Sequence, residues 1–253
     1  GYEGFRFTRS DKTAAKKAER MIQHMVDNLL WLHDQMPDEV RQRARLWYDG
    51  ARRITDLFSE RFGRTDVQVA AVLAVLSPQK DWFMNVTLAE RVLDIYTNRQ
   101  DFRWSPEMTQ VADDILGNVD PDDILAIEGR TLRELDGQTY LQALWLRTYD
   151  QAHNPRTFRG VDPGGDFADL AVNYDGETNT RAAWGSFGSI GKAIEVLRDG
   201  SVQNVSRMLG NEHKVRNFYN NIFDPASLHG DVTIDTHAVA AALLQPLAGS
   251  SPE

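Results

Sequence analysis

The chain has 253 residues, of which 42% are hydrophobic and 26% are charged, and it contains no cysteine. This composition predicts a globular protein with a substantial core, and it excludes disulfides, thiolate zinc sites and cysteine-ligated iron–sulfur clusters. The formal net charge of −9 at pH 7 argues against indiscriminate binding to polyanions, and no apolar run is long enough to cross a bilayer.

The chain begins with a series of amphipathic helical patterns. Residues 14–35 carry apolar side chains on roughly one helical face. Residues 39–62 predict a second helix or a pair of helices, with a break near Gly50 and an end at Gly63. Residues 67–76 are apolar on nearly every side, which predicts a buried central helix.

Helical periodicity continues through the rest of the chain. The segments with this pattern are 85–96, 123–127, 132–149, 190–198 and 202–209. Alternation of apolar and polar residues does not recur often enough to predict a large sheet. We therefore predict an all-α fold.

A polar segment interrupts the helices between about residues 153 and 182. It is rich in Gly, Asn, Asp and Pro, and it contains Asp162-Pro163-Gly164-Gly165-Asp166, a sequence that favours the turn of a short hairpin. We expect an insertion in a single helical domain over residues 1–253, with two lobes as the alternative. Long polar loops often carry function.

The segment from Val232 to Val239 places an acid and a histidine at the start of an apolar helix. Asp235 stands at the N-cap position, where backbone amides would fix its carboxylate and keep it ionised. A fixed carboxylate can orient a nucleophile or stabilise a developing cation. A helix cap without any further role explains the same residues, so both alternatives stay open for Asp235 and for His237.

Two further clusters have the composition of a ligand-binding surface. The first follows the buried helix and comprises Gln79, Lys80, Asp81, Trp82 and Asn85. A base can stack on a tryptophan while an amide contacts the edge of the base. The second follows Gly210 at the start of a helix, where an anion can bind, and comprises His213, Lys214, Arg216 and Asn217. A packed helix junction and a solvated basic helix end are the structural alternatives.

A third segment, residues 185–192, is similar to a phosphate-binding loop but does not match its pattern. Ser186 stands where glycine is required, and Ala193 stands where serine or threonine is required. The segment is therefore a weak candidate for a phosphate site.

These segments together resemble the helix-hairpin-helix DNA glycosylase superfamily. Residues 74–81 are similar to the Leu-Ser-x-Gln segment that begins the substrate pocket of those enzymes, and Ile234-Asp235-Thr236-His237 is similar to their Val-Asp-Thr-His helix. The separation of Lys214 and Asp235 is close to that between the hairpin lysine and the catalytic aspartate of the superfamily. The resemblance covers roughly residues 67–245 and implies a helix-hairpin-helix glycosylase-like fold.

The chain departs from the motifs of this superfamily in two places, and these departures favour one branch of it. The usual Leu-Pro-Gly-Val-Gly-x-Lys hairpin is replaced by Leu209-Gly210-Asn211-Glu212-His213-Lys214, and the cluster cysteines of the endonuclease branch are absent. Through residues 77–82 and 214–219 the chain more closely resembles the bacteriophage amino acid:DNA transferases, also called glutamyl/putrescinyl-thymine pyrophosphorylases. This resemblance implies an enzyme that replaces the pyrophosphate of pyrophosphorylated 5-hydroxymethyluracil in DNA with an amine such as an amino acid.

The resemblance also implies roles and partners. Asp235, Lys214 and His237 would be catalytic, and the two clusters would bind the substrate without a cofactor or a metal. The partners would be DNA with modified thymine and a free amino acid or amine, and we expect a monomer in the cytoplasm of the host cell, with no membrane partner. A base-excision glycosylase/AP lyase that uses Lys214 as a nucleophile, and a noncatalytic nucleic-acid-binding protein, are the alternatives.

Overall fold

The computed structural model describes residues 6–173 and 176–245, and these ranges are mostly helical. The helices are α1 (Ala14–Gln35), α2 (Asp38–Arg45), α3 (Trp47–Phe62), α4 (Asp66–Leu76), α5 (Trp82–Asn98), α6 (Pro106–Leu116), α7 (Pro121–Ile127), α8 (Thr139–His153), α9 (Phe187–Arg198), α10 (Val202–Leu209), α11 (His213–Phe223) and α12 (Thr236–Leu243). Two short antiparallel strands, β1 (Arg159–Val161) and β2 (Phe167–Leu170), make the one sheet found in the described ranges. The predicted all-α class is confirmed, while the helix-hairpin-helix topology stays a prediction. None of these helices has both the length and the apolar character that crossing a membrane requires.

The chain divides into two compact units. The first unit holds α1, α2 and α12 and comprises Gly1–Arg45 with Thr233–Glu253; the second comprises Leu46–Val232. Within the first unit α1 packs against α12, where the buried Asn28 Nδ2 donates to the carbonyl oxygen of Ala242 at 2.8 Å. This hydrogen bond joins two helices that are far apart in the sequence.

Helix α4 forms the centre of the second unit. It begins with a capping box, in which Thr65 and Gln68 satisfy each other's backbone amides. Every residue from Gln68 to Leu76 is buried, and the helix packs against α3, α5, α9, α10 and α11. Each fully buried valine or leucine here contributes about 1.5–3 kcal/mol through removal of apolar surface from water. The prediction of a buried central helix is confirmed.

The hairpin insertion is present, and its turn packs against α3. Residues 162–166 connect β1 to β2, and Gly165 has a φ of 86°. A Cβ on Gly50 would lie 2.2 Å from the carbonyl oxygen of Pro163, and a Cβ on Gly165 would lie 2.6 Å from the carbonyl oxygen of Gly50. The backbones of the helix and of the turn therefore meet at two glycines, which fixes the hairpin on α3.

This contact corrects the predicted break near Gly50. The interruption lies at Leu46, between α2 and α3, and Gly50 is a buried residue inside α3. Glycine is needed at position 50 because the hairpin turn approaches closely, so it does not end a helix there. The predicted helix end at Gly63 is confirmed, since this residue is the C-cap of α3 with a φ of 62°.

Two other helix predictions also need correction. The helix predicted over residues 132–149 starts only at Thr139, after a 3-10 turn and Gly137 with a φ of 80°. Helix α6 was not predicted, although Ser105 at the N-cap and Pro106 at the first turn are typical of a helix start. The bounds predicted for α1 and α10 agree with the structure.

Candidate functional site

An open, largely apolar cleft of about 450 Å³ lies between the start of α5 and the hairpin insertion. The lining residues are Trp47, Asp81, Trp82, Phe83, Phe158, Ala171, Val172, Asn173 and Thr180. Pockets with this mixture of aromatic walls and few polar groups are typical of small-molecule sites. The structure thus places two of the predicted binding residues, Asp81 and Trp82, on the wall of a cleft.

The aromatic side chains of the cleft present flat faces. The ring of Trp82 lies 5.8 Å from that of Trp47 and 6.3 Å, edge to face, from that of Phe218. Trp47 is 41% exposed and Phe83 is 39% exposed, so both rings are accessible to a ligand. Since an aromatic face can stack on any nucleobase, this arrangement suits a base or another planar ring.

The loop between α4 and α5 shapes one edge of the cleft. Its exposed Gln79 has a φ of 58°, a left-handed conformation that is uncommon outside glycine. The amide of Lys80 donates to the carbonyl oxygen of Ser77 at 3.2 Å, and the carboxylate of Asp81 caps α5 by accepting from the amide of Met84 at 2.9 Å. Gln79 and Lys80 belong to this turn, but neither lines the cleft. Left-handed residues of this kind often occur at functional sites.

Helix α11 brings Lys214 to this loop. The Nζ atom of the partly buried Lys214 donates to the carbonyl oxygen of Ser77 at 3.2 Å. One turn further along α11, Phe218 contacts Trp82. The structure therefore places Lys214 together with the α4–α5 loop, although the two segments are far apart in the sequence.

Two predicted substrate ligands are used inside the protein instead. Asn85 is only 2% exposed, and its Nδ2 donates to the carbonyl oxygen of Leu73 at 2.9 Å, linking α5 to α4. The guanidinium of Arg216 donates to the carbonyl oxygens of Gly210 and Ser206, at the end of α10. Neither residue lines the cleft, and the Nδ2 atom of Asn85 and the guanidinium of Arg216 already have partners inside the protein. The role of both residues in substrate binding stays a prediction.

His213 and Asn217 lie on the exposed side of the first turns of α11. The Nδ2 atom of Asn217 lies 3.0 Å from the Nε2 atom of His213 and donates to the carbonyl oxygen of Val232 at 3.0 Å. Neither side chain lines the cleft. Their role in substrate binding stays a prediction.

Asp235 and His237 belong to the first unit, at the start of α12. The predicted N-cap is confirmed, because the Oδ1 atom of Asp235 accepts a hydrogen bond from the amide of Ala238 at 2.8 Å. His237 is exposed. The catalytic roles of these two residues, and their convergence with the residues of the cleft, stay predictions. Among the described side chains, no group of three or more His, Asp and Glu is placed to hold a metal ion.

The ammonium of Lys80 has an unusual electrostatic environment. Partial burial lowers the pKa of Lys80, the positive charge of Arg147 lowers it further, and Asp81 offsets part of the change. The charged form of a lysine in such surroundings is stabilised more by a bound anion than that of a fully solvated lysine.

One family model matches part of the chain. It is described as a family of unknown function (DUF7178), and it matches residues 11–134. This span contains the α4–α5 loop and the cleft residues Trp47 and Trp82, but it ends before α11 and α12. The comparison with curated proteins and the comparison with solved structures each found no match.

Proposed function

We propose that the protein modifies a base in DNA by replacing the pyrophosphate of pyrophosphorylated 5-hydroxymethyluracil with an amine. The observation that carries this proposal is the aromatic cleft, in which Trp82 lies beside Trp47 and next to the loop that Lys214 contacts. Its volume of about 450 Å³ suits a base with an exocyclic substituent. The resemblance of residues 77–82 and 234–237 to the transferases supports the same assignment.

The proposed reaction exchanges two groups at the exocyclic methylene carbon of the base. The bond from carbon to the pyrophosphate oxygen breaks, and the electron pair leaves with pyrophosphate. The amine nitrogen then forms the new bond with its lone pair and loses a proton. Family resemblance, rather than geometry, assigns that proton transfer and the stabilisation of the electron-poor carbon to Asp235. Cations near the leaving group, among them Lys80, would offset the charge that develops on pyrophosphate.

A base-excision glycosylase is the second candidate, and the position of Lys214 favours it. The Nζ atom of Lys214 lies at the rim of the loop that carries Trp82, at 3.2 Å from the carbonyl oxygen of Ser77. In a lyase reaction this amine would displace the base from the sugar carbon and form a Schiff base with the sugar. The products would be a free base and a cleaved abasic site, whereas the transferase leaves the glycosidic bond intact.

Nucleoside mass spectrometry distinguishes these reactions. DNA that contains pyrophosphorylated 5-hydroxymethyluracil is incubated with the protein and a mixture of amino acids, and is then digested to nucleosides. A new thymidine derivative that carries an amino acid supports the transferase. A free base with an abasic site supports the glycosylase instead. Unchanged nucleosides under conditions in which the protein binds the DNA would contradict both enzymatic proposals.

A matched pair of tryptophan variants tests the role of the cleft. Trp82→Leu removes the stacking face, whereas Trp104→Leu removes a partly buried tryptophan that does not line the cleft and whose Nε1 donates to Thr109. Stacking on an aromatic side chain contributes about 1–3 kcal/mol per base, so Trp82→Leu should lower turnover by about one to two orders of magnitude. Equal losses in the two variants would show that the cleft is not the base-binding site.

A further inference from the structure

Three cationic side chains of the second unit gather around the segment that leads into α9. They are Lys80, Arg147 and Arg156. The Cε atom of Lys80 lies 3.7 Å from the position of a Cβ on Gly185, and the guanidinium of Arg147 lies 5.7 Å from the ring centre of Phe187. Arg156 donates to the carbonyl oxygen of Ala182 at 2.9 Å. Residues from three separate parts of the sequence thus bring positive charge to residues 182–187.

These charges lack carboxylate partners in the described part of the chain. Neither Lys80 nor Arg147 forms an ion pair there, and the Nε atom of Arg147 is buried without a hydrogen-bond partner. The nearby Asp150 cannot compensate fully, because its Oδ2 atom already accepts from Arg91 Nη1 at 2.9 Å and from Trp184 Nε1 at 2.7 Å. The cluster therefore carries positive charge that Asp150, near Arg147, and Asp81, near Lys80, compensate only in part.

This positive charge affects the side chains themselves. Burial lowers the pKa of Arg147, and the neighbouring Arg156 lowers it further, while Asp150 offsets part of the change. Arg147 in turn contributes to the lowered pKa of Lys80. Like charges held together at a partly buried position are unfavourable, and a bound anion would remove that cost.

The first turn of α9 adds backbone donors to the same segment. Ser186 caps the helix, and its Oγ atom accepts from the amide of Ser189 at 3.2 Å. No hydrogen bond to a described residue occupies the amides of Phe187 and Gly188, which follow Ser186. Gly188 is exposed, and a Cβ on it would meet only the Ser186 Oγ atom, at 3.6 Å. Free amides at a helix start suit an anion and add to the effect of the three cations.

We propose that Lys80, Arg147, Arg156 and the first turn of α9 form a binding site for a diphosphate group. A diphosphate has more charge and more acceptor oxygens than a single phosphate, which suits three cations and two free amides. The choice of a diphosphate rests on the proposed function, in which pyrophosphate is the leaving group. The anion site itself rests on the positions of these side chains and on the absence of carboxylate partners for Lys80 and Arg147. Arg156 already donates to Gln151 and to Ala182, and it contributes its charge.

Titration calorimetry with inorganic pyrophosphate and with inorganic phosphate tests the site. The full chain should bind pyrophosphate more tightly than phosphate, and Lys80→Gln and Arg147→Gln should each weaken pyrophosphate binding at least tenfold, since each removes a charged donor. Arg103→Gln is the matched control, because exposed Arg103 pairs with Glu134 on another surface segment. Its affinity should equal that of the unchanged protein.

Thermal melting provides a second measurement on the same variants. Pyrophosphate should raise the melting temperature of the unchanged protein and of Arg103→Gln, and it should raise that of Arg147→Gln less. An equal rise in the melting temperatures of Arg147→Gln and Arg103→Gln would overturn the proposal.

The remaining outcomes separate this site from the proposed function. Pyrophosphate binding that depends on Arg147, in a protein without transferase activity, would leave the anion site standing and refute the reaction. Absence of pyrophosphate binding, or equal binding by Arg147→Gln and Arg103→Gln, would refute the site whatever the activity. Equal competition by unmodified duplex DNA and by pyrophosphate would identify backbone phosphate as the ligand and overturn the diphosphate assignment.

Discussion

Replacing Gly50 by alanine tests how the hairpin is held against α3. The added methyl group would lie 2.2 Å from the carbonyl oxygen of Pro163 and 3.0 Å from the amide nitrogen of Gly165. Both contacts are with backbone atoms, so no side chain can rotate away to relieve them. The hairpin turn must therefore move away from the helix. Since Phe158 and Ala171 of the insertion line the cleft, this movement would also widen the cleft.

Two opposing effects set the size of the change in stability. Alanine is favoured over glycine inside a helix by about 1 kcal/mol. Overpacking at a tight contact costs about 1–3 kcal/mol, so the clash should equal or exceed the gain in helix propensity. The net change against the docked hairpin is then about 0–2 kcal/mol, which would raise the population of its opened form by up to about 30-fold. The effect should be local, because the three atoms nearest to the added methyl group all belong to the hairpin turn.

Limited proteolysis measures that local opening. Trypsin should cleave Gly50→Ala after the exposed Arg159, at the start of β1, and after the exposed Arg181, beyond β2, up to about 30 times faster than the unchanged protein. Gly188→Ala is the control for melting temperature, because a Cβ on that helical glycine meets only a side-chain oxygen at 3.6 Å. It should be as stable as the unchanged protein or more stable. Equal cleavage rates and equal gains in melting temperature for both variants would refute the close-packing argument.

Four further perturbations test the site and its support. Asp235→Asn should keep the cap of α12, since asparagine caps about as well, but should lower turnover on the order of a hundredfold with little change in melting temperature; an unchanged rate would mean that Asp235 is only a cap. Lys214→Ala should abolish borohydride trapping on DNA if the protein is a lyase, whereas a transferase forms no adduct that could be lost. Asp150→Asn should cost about 3–5 kcal/mol in thermal or chemical unfolding, because it leaves the buried Arg91 charge unpaired; a smaller loss would show that this charge is solvated. Pyrophosphate affinity should fall as pH rises towards the lowered pKa of Lys80, because the neutral amine loses its attraction for the anion, and Lys80→Gln should remove that pH dependence.

The parts of the fold that sequence patterns predicted well depend on local interactions. The apolar run of α4 and the aspartate that begins α12 need only helical periodicity and N-cap chemistry to be recognised. Gly50 shows the limit of this approach. A glycine in a helical pattern suggested a break, but the contact that requires glycine comes from Pro163, more than a hundred residues away. No local pattern in the sequence indicates that contact.

In the candidate site, too, local sequence predicted some residues, while contacts between distant segments decided the others. The cluster around Trp82 was recognised from its composition, and the structure places two of its residues, Asp81 and Trp82, on the wall of a cleft. Phe158 was missed, because it reaches the cleft only through the docking of the insertion. Arg216 was assigned to substrate because it is a cation at a helix start, although its donors are taken up by the end of α10. Sequence shows that a residue can bind an anion, but it does not show which partners have already satisfied it.

Residues 185–192 do not match the pattern of a phosphate-binding loop, yet the proposed anion site includes the start of α9 in this segment. A phosphate-binding loop takes its lysine from within the motif, and the corresponding residue here, Lys192, is exposed on the second turn of α9. In this fold the cations come instead from the α4–α5 loop and from α8, as Lys80 and Arg147, and the helix supplies only its first amides. The required elements are free backbone donors and unpaired positive charge at one place. Because distant segments supply the charge, the structure rather than the motif identifies the site.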